Sequence, residues 1–187
     1  PIARIEFLDE VMVKAVNQFS GLTLVEQPTL FLEFHGSNAS VKDNVEQVGE
    51  ITREFGGSDF RWAVNQAERT ALWTARHNAY YAGLAYRPGC RAFTTDVCVP
   101  ISRLAECIAE TKRDLAESTL VAPILGHVGD GNFHMMMLVD PNCPDDHAEG
   151  ERLHERLVQR ALAMGGTITG EHGIGMGKQK YMKSQHG

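Results

Sequence analysis

The sequence is poor in cysteine and has no pair of cysteines at the C-x-x-C spacing of zinc ribbons and thioredoxin-like redox motifs. Its four cysteines lie far apart, at Cys90, Cys98, Cys107 and Cys143. The first residues also lack the charged and apolar pattern of a signal peptide. We therefore expect reduced thiols that pack as small apolar side chains in a reducing compartment.

Long apolar runs and basic clusters are missing as well. No stretch of about 18 apolar residues occurs, so the sequence predicts no transmembrane helix. The 18 Lys and Arg residues are outnumbered by 24 Asp and Glu residues, which gives a net charge of −6, and they form no dense cluster. This distribution argues against nucleic acid or an anionic membrane surface as the partner, so any positively charged site must be local.

The length and the apolar content suffice for one domain. The chain has 187 residues, of which 43% are apolar, and this allows a sizeable core. The sequence begins at Pro1 instead of an initiator methionine, and its last residues, KQKYMKSQHG, carry no clear helix end. We expect residues 1–187 to be one domain, a fragment cut from a longer chain.

Apolar periodicity predicts helices that alternate with strands. Helical spacing occurs over five segments: Leu8–Phe19, Ser40–Phe55, Asn65–Ala82, Pro100–Leu115 and Asp145–Met164. Strand patterns occur over six: Thr29–His35, Asp59–Ala63, Arg91–Val99, Ala122–Val128, Phe133–Val139 and Thr167–Thr169. Asp9 and Asn65 suit helix starts, and Gly21 suits a helix end. This order predicts an α+β fold, a mostly antiparallel sheet covered by helices.

The segment GHVGDGNFH, residues 126–134, carries the strongest signal for chemistry. Two apolar strands flank GDGN, a composition that favours a tight turn. A four-residue hairpin loop would place His127 opposite His134, with Cβ atoms about 4.5–5.5 Å apart. Two such imidazoles could bind one divalent metal ion together with a third ligand, and the alternative is a histidine contact without metal. Asp130 and Asn132 would support the turn or the ligands instead of binding the metal.

A second glycine-rich segment, GEHGIGMGK, spans residues 170–178. It is not a phosphate-binding P-loop, because His172 stands where that motif needs glycine and Gln179 where it needs Ser or Thr. Glu171 and His172 fit better as one metal ligand and one general base. Adjacent residues of an extended backbone point in opposite directions, so both reach one site only if the loop wraps around it. The alternative is a glycine-rich turn with solvated side chains.

Arg76 lies in the predicted helical segment LWTARHNAYYAG, among aromatic residues. A guanidinium in such a position could bind a carboxylate through a bidentate pair. Tyr80 follows four residues later and would share the helix face of Arg76. Taken alone, a structural arginine and a tyrosine at the core or its rim are the alternatives.

Three segments together resemble one enzyme family: LWTARHNAYYAGLAYRPGCRAFTTDVCVPISRL, GHVGDGNFH and TGEHGIGMGK. They are similar to the C-terminal part of FAD-linked oxidases of the vanillyl-alcohol-oxidase type, in the group of cytochrome-linked D-lactate dehydrogenases and glycolate oxidase D subunits. The resemblance covers most of residues 60–180 and is loose over the first fifty. It implies a ferredoxin-like α+β cap domain packed over the flavin, with the FAD-binding domain and a short C-terminal stretch outside this chain.

The resemblance also implies roles for individual residues. The ligands of a divalent metal, zinc or manganese, would be His127, His134 and Glu171. His172 would be the catalytic base. Arg76 would bind the substrate carboxylate, with Tyr80 near it. FAD would be held mainly by the other domain, and the resemblance assigns no flavin-binding residue to this chain.

The sequence departs from the family members that act on D-2-hydroxyglutarate. Those members carry Lys where this chain has Thr94 and Asn where it has Met136, and both groups would address a second carboxylate. Because an unpaired distal carboxylate is costly to desolvate, their replacement predicts a small monocarboxylate such as D-lactate. Arg87 or Arg91 could still supply a substitute cation.

The resemblance implies a parent enzyme that oxidises D-lactate to pyruvate by hydride transfer to FAD. Its electron acceptor would be a cytochrome c, a quinone or an electron-transfer flavoprotein, and a homodimer is compatible with the family. A bacterial parent would be cytoplasmic or peripheral at the inner membrane, and a eukaryotic one mitochondrial. Two alternatives stay open: a metal-dependent hydrolase that uses the same residues without flavin, and a catalytically inert module that binds metal and a 2-hydroxy acid.

Overall fold

The computed structural model describes residues 2–58, 60–63 and 65–187. Its strands are β1 (Ile2–Leu8), β2 (Thr29–Phe34), β3 (Arg91–Thr94), β4 (Val97–Cys98), β5 (Ile124–Gly126) and β6 (Asn132–Val139). Its helices are α1 (Glu10–Ser20), α2 (Asn38–Glu54), α3 (Gln66–His77), α4 (Ala79–Tyr86), α5 (Ile101–Ala116), α6 (Pro144–Ala163) and α7 (Met182–His186). Short 3-10 turns cover Val128–Asp130 and Gln179–Tyr181.

The described strands form an antiparallel sheet in the order β2-β1-β5-β6-β3, and β4 pairs with β6 beyond the end of β3. β6 is therefore central, with β5 on one side and with β3 and β4 on the other. The succession β3/β4-α5-β5-β6-α6, closed by an antiparallel bridge between Thr167 and Cys98, has the order of a ferredoxin-like unit. The prediction of an α+β fold with a mostly antiparallel sheet is confirmed.

Helices cover both faces of the sheet, so every residue of β6 is buried. Phe133, Met135 and Met137 belong to one apolar cluster, with side chains of α5 and α6. Met136 and Leu138 belong to another, with side chains of α1, α3 and α4. This division follows the two-residue period of a strand. We call the side that carries Met136 and Leu138 the α1/α4 face.

Two helix starts and one helix end confirm the sequence predictions. Asp9 precedes α1, and its carboxylate accepts the backbone N–H of Met12 at 2.9 Å. Asn65 caps α3 in the same way by accepting the N–H of Glu68 at 2.9 Å. Gly21 ends α1 with a φ of 65°, a left-handed conformation that favours glycine.

Strand β1 is missing from the sequence prediction. Its residues alternate between the two faces, but one inward position carries a charge, because Glu6 is only 7% exposed. The alternation of apolar and polar residues that predicts a strand is therefore broken at this position. Within the fold, Arg76 and His127 satisfy the Glu6 carboxylate at 2.7 and 2.9 Å.

The register predicted for the GHVGDGNFH hairpin is wrong. β5 ends before His127, and it is Leu125 that pairs with His134. The 3-10 turn Val128–Asp130, followed by Gly131 with a φ of +81°, makes the connection longer than a four-residue hairpin loop. His127 therefore lies beyond the strand. Its ring centroid is nevertheless 6.0 Å from that of His134.

The helix predicted over residues 65–82 is in fact two helices. They meet at Asn78, whose φ of −84° and ψ of 3° depart from the helical ψ of about −42°. Because of this break, the four-residue spacing does not by itself bring Tyr80 over Arg76.

Four predicted strands are shortened or missing. Ala122–Val128 is reduced to the three residues of β5. Arg91–Val99 forms β3 and β4, with two residues between them. Phe60–Ala63 form no strand, and Asp59, where that prediction began, lies outside the described residues. The last predicted strand contributes a single bridge from Thr167 to Cys98.

Within residues 2–58, 60–63 and 65–187, no helix is both long and apolar enough to cross a membrane. All four cysteines are free thiols. Cys107 lies on the buried side of α5 and is fully buried, and this burial raises the pKa of its thiol to about 11. As expected, this thiol packs as a small apolar side chain.

Candidate metal centre

The predicted metal ligands come together on the α1/α4 face, near the start of β6. His134 projects from β6 and is 5% exposed, while His127 follows β5 in the connecting turn. The chain that leaves α6 returns here and brings Glu171 and His172 against both imidazoles. Three segments that are distant in sequence thus contribute one cluster.

The Glu171 carboxylate lies between the imidazoles. Its Oε1 atom is 2.9 Å from His134 Nε2, 3.4 Å from His127 Nε2 and 3.5 Å from His172 Nε2. Ligand atoms around a tetrahedral zinc ion lie roughly 3.3 Å apart, given bonds of about 2.0–2.1 Å. The distances from Glu171 to His127 and His134 therefore match the spacing of ligand atoms around one metal ion.

His127 is oriented by Glu6, whose Oε1 atom is 2.9 Å from His127 Nδ1. Arg76 of α3 donates to the other oxygen of Glu6 at 2.7 Å. Burial acts to raise the pKa of Glu6, but the hydrogen bond to His127 and the charge of Arg76 outweigh it and lower that pKa. The same hydrogen bond raises the pKa of His127. This arrangement leaves Nε2 of His127 directed toward Glu171.

His134 is oriented by a backbone carbonyl, because its Nδ1 atom lies 3.1 Å from the carbonyl oxygen of Thr95. That carbonyl is available because the Thr95 hydroxyl accepts the N–H of Met135 in its place, at 2.9 Å. Burial lowers the pKa of His134, which favours the neutral imidazole that binds a metal. A His134 ring with Nδ1 engaged leaves Nε2 for Glu171 or a metal ion.

His172 stacks on His134, with ring centroids 4.9 Å apart and planes inclined by 7°. Its side chain is 53% exposed. A half-exposed imidazole beside the candidate ligands can contact both a bound substrate and water. His172 therefore lies beside the candidate ligands with part of its ring open to solvent.

Asp96, which the sequence analysis did not select, holds the Glu171–His172 loop in place. It is 1% exposed and lies between β3 and β4. Its carboxylate accepts hydrogen bonds from five groups: Asn132 Nδ2, Thr169 Oγ1 and the backbone N–H groups of Gly170, Glu171 and His172. Burial acts to raise the pKa of Asp96, but these hydrogen bonds outweigh it and lower that pKa strongly.

Among the described residues, two groups have the spacing of metal ligands: His127–His134–Glu171 and Asp96–His134–His172. The second is the poorer candidate, because both oxygens of Asp96 already accept hydrogen bonds. In the first group both imidazoles have Nδ1 engaged and Nε2 directed inward. Two imidazole nitrogens and one carboxylate oxygen suit zinc or manganese.

The two predicted substrate residues of the helical segment have different surroundings. Arg76 is 12% exposed, and its Nε atom is buried without a hydrogen-bond partner among the described residues. It reaches the histidine cluster through Glu6. Tyr80 is 46% exposed and makes an edge-to-face contact with Tyr81.

Thr94 and Met136 are directly opposed in the pairing of β3 with β6. Directly opposed residues share a face, so both belong to the face that carries His134. Met136 is fully buried and packs under Gly83 of α4. The two positions at which the resemblance predicts a difference from the D-2-hydroxyglutarate enzymes are thus neighbours, and both are uncharged here.

The described residues form two clefts that are candidates for a site. The cleft at the histidine cluster has a volume of about 300 Å³ and is lined by His127, Asp130, Asn132, Gly170 and Glu171. The other, of about 310 Å³, lies beside α3, where Arg4 and Arg69 both pair with Glu33. The cleft at the histidine cluster contains His127 and Glu171 of the candidate metal group, whereas the cleft beside α3 contains no member of it. We therefore take the cleft at the histidine cluster as the functional one.

Comparison with known proteins relates the whole chain to one family. The family profile described as "FAD linked oxidases, C-terminal domain" matches residues 1–187. A "Probable D-lactate dehydrogenase, mitochondrial" of Danio rerio is 56% identical over 187 residues, which are 100% of this chain and 38% of that protein. The "D-lactate dehydrogenase [cytochrome], mitochondrial" of Arabidopsis thaliana is 42% identical over 186 residues, 100% of this chain and 33% of that protein.

A bacterial relative is the "Glycolate oxidase subunit GlcD" of Escherichia coli K12, 30% identical over 183 residues, which are 97% of this chain and 36% of that protein. The chain spans about a third of the length of these relatives. A solved 4-ethylphenol oxidase from Gulosibacter chungangensis, in complex with isoeugenol, superposes with a TM-score of 0.63. The match covers 88% of this chain and 38% of the oxidase, and at 14% identity it shows the fold alone.

Proposed function

Because this chain belongs to the FAD-linked oxidases, as their C-terminal domain, we propose that it is the substrate- and metal-binding part of an FAD-dependent D-2-hydroxy-acid dehydrogenase. Relatives named D-lactate dehydrogenases, at 56% and 42% identity, support this reaction class. Residues 1–187 would form the cap domain, and FAD would be held mainly by a part of the protein outside them.

The proposal depends most on the preset orientation of the two imidazoles. Glu6 engages Nδ1 of His127, and the carbonyl of Thr95 engages Nδ1 of His134. In metal sites, such partners fix the tautomer and direct the opposite nitrogen at the ion. The Nε2 atoms of both rings then meet the Glu171 carboxylate. A chance contact of two histidines would not need this support on both rings.

D-lactate is the proposed substrate because the two positions that the family resemblance assigns to a second carboxylate, Thr94 and Met136, carry no charge here. Thr94 and Met136 face the same side of the sheet as His134 and lie directly opposite one another. A second carboxylate at these positions would lose its hydration without gaining a cation there. The methyl group of lactate has no such cost.

When bound, FAD would supply the hydride acceptor, and the divalent metal would supply a Lewis acid for the substrate hydroxyl. Arg76, which pairs with Glu6 in this structure, would also pair with the substrate carboxylate. His172 would take the hydroxyl proton, since an imidazole transfers protons effectively near neutral pH. Loss of that proton and of a hydride from Cα converts D-lactate to pyruvate.

The names of the relatives support a proposal for the partners and the location. For a eukaryotic parent we propose a mitochondrial enzyme, like those named from Danio rerio and Arabidopsis thaliana. A cytochrome c would then be the electron acceptor, with a quinone or an electron-transfer flavoprotein as the choices in a bacterial parent that is cytoplasmic or peripheral at the inner membrane. Homodimerisation is a further expectation, to be checked by sedimentation.

The reaction is tested with the complete polypeptide that carries this sequence, purified under anaerobic conditions. D-lactate should bleach the flavin absorption band near ~450 nm, and L-lactate should not. Bleaching chiefly by D-2-hydroxyglutarate would keep the family but overturn the substrate choice based on Thr94. A flavin that no 2-hydroxy acid reduces would refute the proposed reaction.

The support of His127 by Glu6 leads to a second expectation. A Glu6→Gln variant should bind zinc about 10–100-fold more weakly, as is typical when an outer partner of a metal ligand is lost. The new amide group must direct its N–H₂ at either Arg76 or His127, and both of these already act as donors there. Titration against a chromophoric chelator measures the zinc affinity.

Glu33→Gln is the matched control, because Glu33 is an equally buried carboxylate (7% exposed, as is Glu6) on the neighbouring strand β2. It pairs with Arg4 and Arg69 instead of a histidine of the cluster. Both variants should lose thermal stability, but Glu33→Gln should keep the zinc affinity of the wild type. Equal losses of affinity would mean that Glu6 acts through stability and not through His127.

A further inference from the structure

We infer that Asp96 is a positioning residue that holds residues 169–172 against β6 and thereby sets where Glu171 and His172 lie relative to His134. The inference rests on the proposed function for its consequence, because the loop it positions carries the proposed third metal ligand and the proposed base.

The bonds to Asp96 account for the path of the loop. The backbone N–H groups of Gly170 and His172 donate to Oδ2 of Asp96 at 3.0 and 2.8 Å, and that of Glu171 does so at 3.1 Å. The hydroxyl of Thr169 donates to the same oxygen at 2.7 Å. Bonds from N–H groups to a charged acceptor are roughly twice as strong as neutral ones. Three consecutive N–H groups on one carboxylate force the backbone to curl around it.

The curved backbone explains how two adjacent side chains, Glu171 and His172, reach the same site. Neighbouring residues of an extended chain point in opposite directions, so Glu171 and His172 would not meet one site. With both of their N–H groups turned toward Asp96, the Glu171 carboxylate reaches His134 Nε2 at 2.9 Å. The His172 ring lies flat on the His134 ring at 4.9 Å. Asp96 thus brings adjacent side chains to one imidazole.

The position of Asp96 in the sheet ties the loop to His134. The pairs Thr94–Met136 and Val97–Phe133 continue through the interruption between β3 and β4, and the same register places Asp96 opposite His134. Its Oδ1 atom lies 3.7 Å from His134 Nδ1. A loop fixed to Asp96 is therefore also fixed relative to the central strand.

Close packing leaves little freedom in this arrangement. A Cβ atom on Gly170 would lie 1.9 Å from Asn132 Nδ2 and 3.1 Å from Asp96 Oδ1, so only glycine allows the approach. The Asn132 amide itself donates to Asp96 Oδ1 at 2.8 Å. Lys178, at the far end of the glycine-rich segment, places its ammonium 3.4 Å from Asp96 Oδ2 and partly balances the buried charge. The carboxylate is enclosed by donors and unavailable as a metal ligand.

The test compares Asp96→Asn with the wild type in the complete polypeptide. The new amide cannot accept from all the N–H groups that converge on it, so the amides of Gly170, Glu171 and His172 should exchange with deuterium at least about tenfold faster. Zinc affinity should fall by about 10–100-fold, because Glu171 is no longer held at the histidines. Neither readout needs a flavin.

Asp114→Asn is the control for simple destabilisation. Asp114 is likewise buried (7% exposed) and ion-paired, with Arg156 and Arg160, but it lies on α5 away from the cluster. It should lower thermal stability without changing loop exchange or zinc affinity. If both aspartate variants weaken zinc binding equally, the positioning role is overturned.

The outcomes separate this inference from the proposed function. A wild type that binds no divalent metal refutes the proposed metal centre, and amide exchange then decides the inference alone. A wild type that binds zinc, with an Asp96→Asn variant that binds it equally well, overturns the inference and leaves the metal centre intact. Should Asp96→Asn not fold, Thr169→Val removes one donor to Asp96 from a half-buried position and should shift both readouts in the same direction by a smaller factor.

Discussion

A His172→Ala variant is expected to lower kcat with D-lactate by about 10²–10⁴-fold, the usual contribution of a positioned general base. Folding should be nearly unaffected, since the His172 side chain is 53% exposed and its main contact is a stack on His134. Zinc should remain bound, because His127, His134 and Glu171 are unchanged. Stopped-flow flavin reduction gives the rate, and thermal unfolding and metal analysis give the other two quantities.

His147→Ala is the control for the loss of an exposed imidazole, because His147 lies on α6 away from the cluster. It should leave kcat unchanged. Turnover of His172→Ala near the wild-type level would refute its assignment as the base.

The second large effect is expected for His134→Ala, which removes a proposed ligand. Loss of a residue that hydrogen-bonds to a metal ligand typically weakens metal binding by about 10–100-fold, and loss of the ligand His134 should weaken zinc binding by more than this. Reduction of the flavin by D-lactate should be lost together with the metal. The loss of zinc affinity in His134→Ala should exceed the loss in Glu6→Gln, because Glu6 acts on the metal only through His127.

His154→Ala is the matched control for His134→Ala, since His154 is a second histidine of similar burial, 6% against 5% exposed. It belongs to α6 and packs between Phe93 and Tyr181, on the opposite side of the sheet. Both variants should lose comparable stability, measured by thermal unfolding without metal. Retention of zinc and flavin reduction in His134→Ala would contradict the proposed centre, and loss of both in His154→Ala would point to a fold effect.

Local signals in the sequence account for the parts of the fold that were predicted correctly. Asp9 and Asn65 accept the N–H groups at the starts of α1 and α3, and Gly21 ends α1 in a left-handed conformation. Each of these effects involves residues within one helical turn, so neighbouring letters suffice to reveal it. The apolar strand Phe133–Val139 was equally clear, because β6 is buried on both faces.

The errors occurred where a residue depends on a distant partner. β1 contains a buried charged residue, Glu6, which the sequence pattern indicates as a surface position. Its burial is possible because Arg76 and His127 bind its carboxylate in the folded protein. The hairpin register was wrong because a 3-10 turn, which the GDGN composition does not distinguish from a four-residue loop, sets the connection. Yet His127 and His134 still meet, through a turn and not through strand pairing.

The sequence by itself determined the family resemblance, the fold class and the side chains of the candidate centre. The resemblance and the candidate residues could be identified because the glycine-rich segments contain His and Glu at short, characteristic spacings. The tertiary structure decided how those side chains work together. Asp96 is an ordinary acid within a strand segment, and its partners in the loop lie 75 and 76 residues further on. Likewise, the orientation of His134 depends on a carbonyl that the Thr95 hydroxyl releases from the sheet. Hydrogen bonds between segments so far apart leave no periodicity or spacing in the chain, so only folding reveals them.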